Sequence, residues 1–531
     1  MPDIEAILER YEDAKAARTT FESHWQEVAD LVRPDVPFTT RPTPGQKNRY
    51  RIYDDTAVNA HDELAANLDA TLTNSQIRWM ALVPVDPSIN VDEDDEVDRW
   101  LYHATSVMLR FFESPESGFA LASHESYLDL TTWGTSCLSI EDRDGIPRFS
   151  SKAMSGIYLD GNDSNEVTAV YRCFEDKGRY LKAKFKELPE KMAKIVAKDG
   201  ATKLKVMHAV MAREERDATK IDAMNKPWAS LYICEETKEL IREGGFDWMP
   251  LLTPRWEVAP GEIYGRSPAM RALPSIKAIN AMAKMTLEAT ELTIRPPLMV
   301  YANGTEGNLS TLPGSINYIK AGTREFPTPM QHGARPDFGE AEIERRAKGI
   351  REAFYVDRLR LPEQDRMTAT EIVARQRQGL LVFSPILGRM YAEKLNPIVQ
   401  ITYAMLVAKK MIPPPPAKLA SRPLAVAYMS PLASSRGSAQ LDAAMQTIGA
   451  VLPLGQVDPS AFDAIDFDKL VRIVARASSL DPTALKRASE VKQIRDQRMQ
   501  AMQAQATAEI AATGAKAAKD MGMTTGAANV R

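Results

Sequence analysis

Apolar residues recur at helical spacing from Ile4 through Ile7, Leu8, Tyr11, Phe21, Trp25 and Val28 to Leu31, and Pro34 closes the run. The spacing predicts a helix that Asp3 is placed to cap. The same period returns at 55–73 with Leu64, Leu68 and Leu72, at 94–113 with Val97, Leu101, Met108 and Phe112, and at about 119–133. From 134 to 174 it yields to short alternating runs separated by Asp-Gly turns, the pattern of antiparallel strands. A charged helical stretch is expected at about 176–198, and further strands at 203–212, 228–236 and 249–258. This half reads as an α+β body.

The second half is mainly helical. Residues 268–293 form a long Ala-rich helical pattern, 294–338 a small Gly- and Pro-turned β module, and 339–357 a second helix. A polar link, "RLRLPEQDRM", follows. Thr368 and Glu371 then have the spacing of a capping box that opens a helical region reaching Ile412, with Pro385 and Pro397 expected to kink or divide it. "PPPP" at 413–416 reads as a stiff polyproline segment. Beyond it, one helical stripe runs through Leu441, Met445, Ile448 and Leu452 and another through Phe462, Leu470, Val471 and Val474. The tail from Thr513 is expected to be loose.

The chain has 531 residues, too many for one ordinary core, and 44% of them are apolar, so several domains can be buried. A net charge of −4 gives no global basic footprint of the kind that grips nucleic acid over a whole surface. The three cysteines, Cys137, Cys173 and Cys234, lack CxxC spacing, which argues against a disulfide framework or a zinc site and points to a reducing compartment. The first 25 residues lack the apolar core of a signal peptide, and no run approaches the roughly 18 apolar residues of a membrane span.

Motifs for chemistry are weak. "PGEIYGRSP" at 260–268 has the look of a phosphate loop, but three residues rather than four separate Gly261 from Gly265, and Arg266 stands where a Walker lysine belongs. With Pro268 at a first-turn position, the glycines read as a tight bend into a helix. The acidic run 92–98 reads as a helix start, and "DGNDSNE" at 160–166 as a polar turn lacking the glycine and distal Glu of a calcium loop. No GxSxG elbow or HExxH is present, His124 reads as a core histidine, and Cys137 as a buried strand residue. No catalytic residue, metal or cofactor is expected. Arg358, Arg360 and Arg366 bracket "LPEQD" between two helices; on sequence alone this reads first as a solvated loop with local ion pairs, and second as a loop presented to a polyanion.

The order of these elements resembles the portal, or head-to-tail connector, proteins of short-tailed bacteriophages. The resemblance is carried by "WEVAPGEIYGRSPAMRALPSIKAINAMAKMTLEATELTIRPPLMV" (256–300), "MTATEIVARQRQGLLVFSPILGRMYAEKLNPIV" (367–399) and "DDTAVNAHDELAANLDATLTNSQIRWMAL" (54–82), and covers most of residues 1–412. It implies a ring of about twelve subunits at one capsid vertex, docking the packaging terminase and later a tail adaptor, with capsid and scaffold proteins as neighbours. The implied domains are an N-terminal α+β wing (1–266), a first stem helix (267–293), a clip (294–338), a second stem helix (339–357), a tunnel loop (358–368), a long helix returning to the wing (369–430) and a helical crown (431–531). Ala269, Ala272, Ala278, Ala281, Ala283 and Ala289 are spread around the first stem helix, as contact with sister copies on two sides would require. Candidate DNA-facing residues are Arg358, Arg360 and Arg366 in the tunnel loop and Lys277 and Lys284 on the stem wall; Gly261, Gly265 and Pro268 would shape the bend into the stem. The expected location is the virion, after assembly in the host cytoplasm, and contact with double-stranded DNA would be to the backbone only. Two other readings stand beside this one: an internal core or scaffold protein of the capsid, which the Ala/Gln/Met-rich tail would suit, and a nucleotide-using enzyme resting on Gly261–Ser267.

Overall fold

The computed structural model describes residues 3–39; 52–300 apart from 75–76, 87, 90–93, 186, 214, 218 and 221; short pieces of 305–330; 336–356; 384–428 apart from 421; 446–447 and 449; and 466–526 apart from 478–483 and 487. In chain order the body begins with α1 (Ile4–Val32), α2 (Thr56–Leu72), β1 (Met80–Pro84), α3 (Asp95–Glu113), α4 (Phe119–Trp133), β2 (Leu138–Arg143) and β3 (Ile146–Ser151). It continues with β4 (Ile157–Gly161), β5 (Val167–Lys177), α5 (Gly178–Phe185), α6 (Glu190–Lys198), β6 (Lys203–Ala212), β7 (Trp228–Cys234), β8 (Glu239–Phe246) and β9 (Leu251–Leu252). Then come α7 (Pro268–Ile294), the two-residue strands β10 (Leu298–Met299), β11 (Thr305–Glu306), β12 (Tyr318–Ile319) and β13 (Thr328–Pro329), and α8 (Pro336–Ala353). The last described elements are α9 (Ser384–Met390), α10 (Asn396–Ala408), β14 (Leu424–Tyr428), α11 (Phe467–Ala477) and α12 (Ala488–Gly526). Two compact units result: Met1–Trp79 with Arg110–Lys409, and Met80–Leu109 with Lys410–Arg531.

The first unit is built on a five-stranded antiparallel sheet ordered β4-β5-β6-β7-β8. Alternation along its strands supplies two apolar faces. One face, with Tyr171, Met207, Ala209, Leu231 and Ile233, is covered by Ile7, Tyr11 and Ala14 of α1. The opposite face, with Leu204, Val206 and Cys234, is covered by Leu181, Met192 and Val196 of α5 and α6. The Asp3 side chain caps α1, accepting from the Glu5 N–H at 3.0 Å and the Ala6 N–H at 3.3 Å. A second, three-stranded sheet runs β3-β2-β9.

An aromatic cluster ties α1 and α4 together. Trp25 lies 4.8 Å from Phe38 and 5.3 Å from Tyr264, Phe38 lies 5.1 Å from Trp133, and the Trp25 indole donates to the Trp133 carbonyl at 3.0 Å. These rings wall the place where α7 leaves the body.

The second unit pairs β1 with β14 antiparallel, from Met80 opposite Tyr428 to Pro84 opposite Leu424. The acidic run that opens α3 acts as a helix start: the Asp94 carboxylate accepts from the Glu96 and Val97 N–H groups. Its charges are also met in pairs, Asp94 with Lys418 and Asp95 with Arg472.

Several expectations are corrected. The charged stretch at 176–198 is two helices, because Pro189 starts α6 afresh. The strand expected at 249–258 shrinks to Leu251–Leu252 plus isolated bridges at Arg255 and Glu257, while β8 was not anticipated. The second long helix begins at Pro336, inside the stretch assigned to the β module, and ends at Ala353. The tail is helical to Gly526, since Ala, Gln, Met and Lys favour helix. His124 is not in the core: its side chain is 40% exposed, 3.8 Å from Asp69, and among the described residues the buried histidines are His61 and His208. Cys137 is buried as expected, and burial pushes its thiol up to about 12.

Candidate functional site

The loop "PGEIYGRSP" turns two of its backbone donors into the body. The Gly265 N–H donates to Thr135 Oγ1 at 2.8 Å, and the Arg266 N–H to the Glu257 carbonyl at 2.6 Å. Tyr264 is fully buried, its hydroxyl accepting from the Leu159 N–H at 2.9 Å. Gly261 adopts φ +79°, a left-handed turn that glycine enters without cost. Ser267 caps α7 by accepting from the Met270 N–H at 3.0 Å and donates to the Thr132 carbonyl at 2.8 Å. Pro268 follows as the first helical residue, where its missing N–H costs nothing. Two of the donors a phosphate would need are thus turned into the body, and Arg266 is held by Glu262.

The helix that starts here is half rooted and half bare. Ala269, Ala272, Leu273, Ile276, Ile279 and Ala283 form one buried stripe over the first turns. Burying the large members stabilises the root by about 1.5–3 kcal/mol each. Past Ala283 the same helix exposes Met285 (65%), Leu287 (57%), Leu292 (42%) and Ile294 (73%). Leu298, Met299 and Val300 continue the exposed apolar surface beyond it. Pro274 sits inside a continuous helix.

α8 runs back antiparallel along α7. Near its start Gly339 lies so close to Thr286 that a Cβ would fall 2.3 Å from Thr286 Oγ1. Towards its end Ala347 and Ile350 are buried, as are Phe354 and Val356 just past it. α2 packs against both helices at this root. At the far end β10 pairs with β13, and β11 with β12.

Lys277 and Lys284, on α7, are both paired. Lys277 Nζ lies 2.6 Å from Glu27 on α1, and Lys284 lies 3.7 Å from Glu288 one turn on. Arg358, Arg360 and Arg366 lie outside the described residues. Sequence reasoning missed a buried hub: Arg255, 5% exposed, binds Glu393, and Lys394 beside it is fully buried. The signal available for it was Pro397 within a helical pattern.

Among the described residues there is no group of three or more His, Cys, Asp or Glu placed to hold a metal ion, and no helix long and apolar enough to cross a membrane. The described residues form a mixed helical and sheet body that carries the α7–α8 helical pair. The chain belongs to the bacteriophage head to tail connecting protein family, whose description matches residues 5–485. It is 28% identical over 530 residues to the probable portal protein of Bordetella phage BPP-1, covering 97% of this chain and 95% of that one. It is 27% identical over 529 residues to the portal protein of Salmonella phage epsilon15, covering 96% and 94%. Among solved structures, a chain from the neck of an empty GTA particle aligns at 11% identity over 73% of this chain and 85% of that chain, with a TM-score of 0.33.

Proposed function

We propose that this chain is a phage portal subunit: copies close into a ring at one capsid vertex, and double-stranded DNA is packaged and ejected through its lumen. The observation that carries the reading is the bare upper half of α7. Met285, Leu287, Leu292 and Ile294 are open to water in a single chain, although the same helix buries its root well. At 100° per residue Met285 and Leu292 fall on one flank of the helix and Leu287 and Ile294 on the opposite one, so apolar surface is open on two sides, as an interaction site would leave it. Head-to-tail contacts that close by rotation would cover it in every subunit at once. The near full-length similarity to two portal proteins supports the same reading.

On this reading α7 and α8 are the stem, 294–338 the clip, 358–368 the tunnel loop and 431–531 the crown. Gly261, Gly265 and Pro268 make the bend from wing into stem. Lys277 and Lys284, already paired with carboxylates, leave the stem weakly attractive to phosphate, as a sliding conduit needs; each unpaired cation would add affinity through counterion release. Arg358, Arg360 and Arg366 are then the local DNA contacts, to the backbone alone. Terminase and tail adaptor dock at the clip end. The exposed stem favours this over an internal core or scaffold protein.

The test is assembly. Wild-type protein should form rings with a central hole in negative-stain electron microscopy. A Met285→Glu, Leu292→Glu, Ile294→Glu triple variant should fold, by circular dichroism, yet sediment as a monomer. Rings formed as readily by the triple variant would remove the stem as the assembly surface.

A further inference from the structure

Between α9 and α10, residues Tyr391–Leu395 wind as a π turn, closed by the Asn396 N–H donating to the Tyr391 carbonyl. Pro397 has no N–H to offer the Glu393 carbonyl, so the regular α bond is missing at this point. Single π turns inside α-helices are rare and concentrate at functional positions.

Two adjacent side chains of the turn are tied to the body. Glu393 accepts from the Arg255 backbone N–H at 2.9 Å and from its guanidinium at 2.8 and 3.2 Å, and from Arg389 at 2.8 Å. The same guanidinium donates to the Asn165 carbonyl at 2.8 Å and the Ile263 carbonyl at 3.2 Å. One arginine thus joins the π turn to the β4–β5 turn and to the loop that enters α7. Lys394 enters α4: its Nζ lies 3.2 Å from the centre of the Tyr127 ring and donates to the Ser123 carbonyl at 3.3 Å. Burial pushes its ammonium well below the usual lysine range, with Asp69 the charged group opposing that.

A buried amine is a costly way to fill space; an apolar side chain of similar volume is often neutral or better. Register gives it a purpose. Removing the extra residue of the π turn would rotate α9 by about 100° and shift it by about 1.5 Å relative to α10. Glu393 and Lys394 could not then both keep their partners.

We propose that Glu393 and Lys394 form a two-point latch that holds the π register, so that the rotational setting of α9 and the loop at the foot of α7 depend on each other through Arg255. The latch rests on this geometry alone and is independent of the ring reading.

Hydrogen exchange on the full-length chain tests it, with Glu393→Gln and Lys394→Met. Each variant should speed exchange of the 386–396 amides by about tenfold while 400–408 stays protected, and Glu393→Gln should also loosen 257–266. Lys394→Met should unfold at or above the wild-type temperature, because the buried amine is gone. Wild-type exchange at 386–396 in both variants would overturn the latch. So would protection lost evenly through 386–408 and α4, or a lowered midpoint for Lys394→Met, either of which marks a packing role alone.

Discussion

His208 is 5% exposed, donates to or accepts from Ser230 Oγ at 2.9 Å, and stacks on Tyr232 with ring centres 4.0 Å apart. Burial, then the nearby Arg172, Lys184 and Lys152, push its imidazolium down to about 3. In the unfolded chain it titrates near 6.5. Between those values the unfolded chain holds the extra proton. The stability His208 contributes is therefore complete above about pH 6.5 and is lost on acidification towards pH 3, by up to about 1.4 kcal/mol per pH unit. Urea unfolding at pH 7, 5 and 4 should show this slope, and His208→Phe should flatten it. A second residue-scale prediction concerns Gly265, where a Cβ would fall 2.1 Å from the Gly134 carbonyl oxygen. Gly265→Ala should cost about 2–4 kcal/mol in denaturant unfolding. The sequence singled out Gly265 by its loop, but not Gly134, since nothing local announces that two distant backbones touch.

At the scale of elements, the α7–α8 pair depends on Gly339. Gly339→Val should push the start of α8 from Thr286, raising protease sensitivity and exchange at 336–345, while 347–356 stays protected by the buried Ala347, Ile350, Phe354 and Val356. Equal protection along α8 in the variant would count against this packing. The helices α1, α2, α4 and α7 were legible because their apolar period is long and their caps or prolines mark the ends. β8 was not: as an edge strand of the five-stranded sheet it is half-buried at every position but the exposed Arg242, and Glu239, Arg242 and Glu243 blur its alternation. The π turn was half legible. Pro397 announced a fault in the helix, but whether a proline kinks, breaks or overwinds a helix depends on what its neighbours can bind.

For the whole molecule, the portal reading places the few consequential cations in the tunnel loop, because the stem lysines are already paired. Arg358→Ala with Arg366→Ala should leave ring assembly unchanged and impair DNA packaging or retention, measured as the fraction of filled heads in complementation. Normal filling would remove the tunnel-loop role. The net charge of −4 suits a channel that does not adhere to its cargo.

The order of the long helices and the α+β character of the first half, and with them the family, were determined by the sequence itself, because periodicity, caps and prolines act over a few residues. Only the tertiary structure decided that α7 is covered on one side at its root and bare above, that Lys277 pairs with Glu27, and that Arg255 meets Glu393. Coverage and charge pairing are set by residues far away in the chain, and a local pattern carries no record of which distant side chain arrives.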